Sequence, residues 1–139
     1  MHDRPTVHEL LDVIQTFLDT EVVPATSGRT QFLARVSANA LRMVDRELGS
    51  EEEDIASAWA ALDELCGKQE FPDGAAARVA AVDERMASLC ERIRAGEFDE
   101  GSDAYRRLLA LARDRVRAKL RVSNPRLLAT DDERGMTAG

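Results

Sequence analysis

Apolar side chains recur at three- and four-residue steps along most of the chain, and no stretch shows the every-second-residue alternation of a strand. That is the period of an amphipathic helix. Five helical segments are predicted from this period and from the residues that punctuate it. Thr6 and Glu9 form a capping-box pair ahead of a stripe of Val7, Leu11, Ile14, Leu18 and Val22, widened by Leu10 and Phe17 and closed by Pro24. Ser27-Gly28 opens the second segment, with Phe32, Leu33, Val36, Ala40, Met43, Val44 and Leu48 apolar and Gly49 as its stop. Ser50 and Glu53 repeat the capping-box spacing and introduce a third segment with Ile55, Trp59, Leu62 and Cys66, ending at Gly67. The turn residues Phe71-Pro72-Asp73-Gly74 precede an Ala-rich fourth segment with Val79, Val82, Met86, Leu89 and Ile93, which stops at Gly96. The last runs from Ser102 through Tyr105, Leu108, Leu109, Ala112, Val116 and Leu120 to Asn124-Pro125. Short connections between such helices predict an all-α fold, an antiparallel bundle in one domain over residues 1–125, with residues 126–139 as a mobile tail. Leu11, Ile14, Val36, Trp59, Leu62, Met86, Leu109 and Val116 are the expected core.

Composition supports helix over sheet. Ala (21), Arg (17) and Leu (15) dominate the 139 residues, and unbranched side chains lose little rotamer freedom in a helix. Aromatics are only 4%, too few for a base-stacking RNA module. Nothing in the sequence resembles a signal peptide, and no apolar run approaches the ~20 residues of a membrane span, so a cytoplasmic location off the membrane is expected. Two cysteines in such a chain read as reduced thiols.

Charge changes the picture more by region than in total. Residues 1–105 carry 10 basic and 22 acidic side chains, whereas residues 106–126 carry eight basic ones against the single Asp114. The overall net of −7 and the lack of interleaved aromatics argue against nucleic acid as a partner. Within the basic stretch Arg106, Arg113, Arg117 and Arg121 fall on one helical stripe. That stripe is either a surface for an acidic partner or an anion, or a solvated face paired with carboxylates of the same chain.

The second segment carries the other candidate. Glu47 lies near the centre of the apolar face of Phe32, Val36, Ala40 and Met43, and Asn39 lies on its edge beside Arg35. A polar group on a core line must be satisfied or it costs on the order of 1–3 kcal/mol. A hydrogen-bond network fixing helix register, or a polar rim to a ligand pocket, would satisfy it.

Other residues have simpler readings. His8 and Asp12 are one turn apart, but zinc catalysis needs three protein ligands, and no metal or cofactor is expected. Cys66 and Cys90 fall on apolar faces and read as small core hydrophobes. Glu51-Glu52-Glu53-Asp54 suits the first turn of a helix. The sequence contains no Gly-rich phosphate loop, nucleophile elbow, CxxC or Glu-x-x-His, which favours a non-enzymatic role.

Residues 4–48 carry a resemblance. Arg4-Pro5-Thr6, Glu9-Leu10-Leu11, Phe17-Leu18, Gly28-Arg29, Phe32-x-Ala34-Arg35-Val36-x-Ala38-Asn39-Ala40-Leu41 and Arg46-Glu47-Leu48 are similar to an uncharacterised bacterial family of small helical domains. Members of that family occur beside or fused to aminoglycoside-phosphotransferase-like kinases, in gene neighbourhoods with acyl-CoA dehydrogenases. The resemblance implies an accessory domain that docks on such a kinase, and it draws attention to Arg29, Arg35, Asn39 and Glu47. The alternative is a binder of an acyl-CoA or another phosphorylated small molecule. The sequence leaves the oligomeric state open.

Overall fold

The computed structural model describes residues 4–129, and among them every regular element is helical. Helix α1 spans Val7–Phe17, and its Thr6–Glu9 capping box forms as the sequence requires. Leu18–Val22 then widen into a π-helical turn, followed by a short α2 at Val23–Ala25. Proline explains the widening: Pro24 has no N–H for the carbonyl four residues back, and the Val23 N–H reaches Leu18 O instead. Helical geometry therefore continues through Pro24, where the sequence reading expects it to stop.

Helix α3, Gly28–Cys66, joins the predicted second and third segments into one element of 39 residues. Gly49 and the Ser50–Glu53 pair mark a break that does not occur. Gly49 is not among the glycines with positive φ, and its cost inside a helix, about 1 kcal/mol, is less than ending two helices and ordering a loop. Gly67, by contrast, has φ of +89° and terminates α3. Helix α4 spans Ala75–Arg94 and α5 spans Asp103–Ser123, the latter capped by the Ser102 hydroxyl, which accepts from Tyr105 N at 3.1 Å. Residues 125–129 are again helical, and residues 130–139, the rest of the expected tail, lie outside the described residues.

The chain gathers into two compact units, divided between Gly49 and Ser50. In the first, α3 lies against α1 through a side that buries Ala34 and Ala38. Polar contacts reinforce this hairpin: Arg42 pairs with Asp19, His8 Nδ1 lies 2.6 Å from Asp45 Oδ1, and Gln31 Nε2 donates to Val23 O at 2.9 Å. In the second, Ala58, Trp59 and Leu62 of α3, Val82 and Leu89 of α4 and Leu111 of α5 form the core.

Several expected core residues lie elsewhere. Trp59 and Leu62 are buried and Met86 packs against the core, but Leu11 is only half-buried. Ile14, Val36, Leu109 and Val116 are exposed, at 46%, 48%, 46% and 57%. In the first unit the small side chains Ala34 and Ala38 let the helices approach closely, which turns Val36 outward. On α5 the inward line is Leu108, Leu111, Arg115 and Ala118, and Leu109 and Val116 face away from it. Alanines at 110, 112 and 118 carry little directional information, so the apolar wheel admits either face. Cys90, read as a core thiol, is exposed, and Cys66 is half-buried.

Candidate functional site

The basic stripe lies on α5 in the second unit, and all four of its arginines are exposed. Their environments differ. Arg106 pairs with Asp103 one turn earlier, and Arg121 reaches across to Asp54 on α3. Arg113 and Arg117 make no side-chain hydrogen bond or ion pair among the described residues. The stripe is thus half occupied by its own chain and half available.

A groove of about 200 Å³ runs between α3 and α5 in this unit. Asp54, Ser57 and Ala58 line it from α3, and Arg115, Arg117 and Arg121 from α5. Alanines at 58, 61 and 118 leave the room, since longer side chains there would fill it. Asp54 and Asp114 offset part of the positive charge, and the Arg121–Asp54 pair links the two walls. Pockets for drug-sized ligands enclose ~300–1,000 Å³, so this groove has room for a phosphate group and not for a whole acyl-CoA.

The four residues of the predicted polar network, Arg29, Arg35, Asn39 and Glu47, are all exposed. None of their side chains bonds to another or to any other described residue, so no internal network joins them among the described residues. The reason is the rotation of α3. Its Ala34–Ala38 line is buried, and Phe32, Val36 and Glu47 are exposed, with Met43 half-buried between them. Arg42, Asp19 and Asp45 make the polar contacts of the hairpin instead. His8, considered as a metal ligand, is engaged by Asp45.

A second arginine set was not singled out by the sequence reading. Arg78, Arg85 and Arg92 recur every seven residues along α4, and each guanidinium stacks on an aromatic ring. Arg78 lies 4.7 Å from the Phe71 centroid, Arg85 4.3 Å from that of Trp59, and Arg92 5.5 Å from that of Phe98. Arg85 is the buried member, 7% exposed. It donates to Asp63 Oδ1 at 2.7 Å and to Gly67 O at 2.8 Å, placing a cation on the last carbonyls of α3 where the helix dipole favours it. Its Nε has no partner. Arg92 donates to Glu97 at 2.6 Å, and this bond holds its pKa above the ordinary arginine value. The heptad of arginines with a carboxylate and an aromatic near each was the available signal. These contacts fasten the loops at both ends of α4.

Among the described residues no cluster of three metal-ligating side chains occurs, and no helix is long and apolar enough to cross a membrane. No curated protein and no solved structure matches the chain. A family model does, from within α2 to just past α5. It covers residues 24–127, and the chain belongs to that family, the Domain of unknown function (DUF6285).

Proposed function

We propose that the protein is a non-enzymatic accessory domain that docks on a phosphotransferase-like kinase, using the basic face of α5. The observation that carries the reading is the pair Arg113 and Arg117, exposed, on one stripe and without a hydrogen bond or ion pair among the described residues. Seven basic side chains of α5 face two acidic ones, Asp103 and Asp114, in a chain of net charge −7. This local field attracts an acidic surface and orients it on approach. The kinase as partner rests on the resemblance of residues 4–48. Arg113→Glu/Arg117→Glu is expected to abolish co-elution with the purified kinase while leaving the melting temperature within about 2 °C, since neither side chain supports the fold. Raising salt from 0.05 to 0.5 M, in the range where screening lengths fall below ~10 Å, should weaken the wild-type complex. Co-elution that survives the double reversal refutes this docking face.

The groove beside Arg117 favours one second reading, a small phosphorylated ligand whose phosphate enters between α3 and α5. Inorganic phosphate or coenzyme A would then raise the melting temperature of the wild type and not that of Arg117→Ala. No shift at millimolar concentrations refutes it.

A further inference from the structure

We propose that the protein self-associates through the outward face of the first half of α3, pairing it antiparallel with the same helix of a second copy. Arg29, Phe32, Leu33, Val36, Ala40, Met43, Val44 and Glu47 occupy this face at successive turns. At 100° per residue they fall within one arc about 120° wide, and Ala34 and Ala38 lie about 140° and 180° round the helix from its centre. Gln31, Arg42 and Asp45, on the alanine side, bond to Val23, Asp19 and His8, so the chain before α3 lies on that side and not on this face. Phe32 is 64% exposed, Val36 48% and Val44 44%, and Ala40 adds a small exposed side chain at the middle.

The pattern is palindromic about residue 38. Under a two-fold axis there, Phe32 meets Met43 of the second copy along one edge, Leu33 meets Val44 along the other, and Val36 meets Ala40 near the middle. The two charged ends then oppose each other: Arg29 falls opposite Glu47 and Glu47 opposite Arg29. These two residues are 18 positions apart, five full turns and about 27 Å, so they share one line on the helix. Both are exposed, and neither side chain makes a hydrogen bond or ion pair among the described residues. The same register brings Leu48 opposite Gly28, the first residue of α3, so the paired region ends where the helix begins. A two-fold interface must be self-complementary in this sense, with each patch meeting its own image. A solvated face has no reason to place opposite charges at symmetric ends of an apolar palindrome.

The area sets the strength. The exposed apolar side chains of this face, with Arg29, Asn39 and Glu47, give on the order of 1,000–1,200 Å² over both copies, at the lower edge of specific interfaces. A reversible dimer is expected, with Kd of about 1–100 µM.

Sedimentation of the full chain from 1 to 300 µM tests the proposal, with far-UV circular dichroism to verify folding. The wild type should shift from monomer to dimer across the range. Glu47→Arg or Arg29→Glu alone should weaken association at least tenfold, because each sets like charges opposite one another. Arg29→Glu/Glu47→Arg should restore the dimer, because the exchange re-forms both pairs. A wild type that stays monomeric at 300 µM overturns the proposal. So do single reversals without effect, or a folded double variant that fails to recover. The Arg113→Glu/Arg117→Glu variant should dimerise normally, which separates this interface from the kinase-docking face.

Discussion

Removing Asp63 should damage the second unit more than removing the arginine it neutralises. Arg85 is 7% exposed and makes two charge-assisted bonds, 2.7 Å to Asp63 Oδ1 and 2.8 Å to Gly67 O, beneath the Trp59 ring. Asp63→Ala leaves that guanidinium buried with one neutral acceptor and its Nε already unpartnered. Breaking a buried pair in this way costs about 3–5 kcal/mol. Arg85→Met removes the cation and the unpartnered Nε together, and it keeps a long apolar stem over Trp59. The remaining Asp63 side chain is 21% exposed and can hydrate, so the loss should be about 1–2 kcal/mol. The double variant should resemble Arg85→Met, giving a coupling energy as large as the Asp63→Ala loss itself, about 3–5 kcal/mol. Urea titration followed by Trp59, the chain's one tryptophan, reads these differences directly at the cluster. In heat, Asp63→Ala should lower the transition by about 12–20 °C, at about 4 °C per kcal/mol for a chain of this size. An Asp63→Ala variant as stable as Arg85→Met would refute the reasoning, because Arg85 would then be neither dry nor dependent on its carboxylate.

Two further outcomes follow from the geometry. Gly49→Ala should stabilise the protein by about 0.5–1 kcal/mol in urea titration, because Gly49 is a helical residue whose added Cβ would meet nothing within 4 Å; a loss would mean that the helix needs glycine there. A thiol reagent under native conditions should modify exposed Cys90 well before half-buried Cys66, as peptide mapping after brief labelling would show, and equal rates would contradict the burial of Cys66 beside α4.

Local chemistry made the helical class and most helix ends legible without coordinates. A capping box works within four residues, so Thr6 and Glu9 could be read directly. Gly67 and Gly96 adopt positive φ, a conformation in which glycine avoids a Cβ clash, and Asn124-Pro125 follows the last residue of α5. The same local rules misread Gly49-Ser50, because a glycine and a capping-box spacing are permissions to end a helix, and continuing it across that point costs less.

What the sequence alone determined was which residues could face inward; which of them do so was decided by tertiary packing. On α3 the wheel offered a broad line of large side chains and a narrow line of alanines. The structure buries Ala34 and Ala38, since small residues bring helix backbones together, and leaves Val36, Asn39 and Glu47 outside. The basic stripe of α5 was visible in the charge pattern, but only the fold shows Arg121 reaching Asp54 and Arg117 lining the groove with it. Arg85 is the clearest case. Burying a guanidinium requires a carboxylate 22 residues away, a helix-end carbonyl and an indole ring to converge on it, and no periodicity within one helix encodes that convergence.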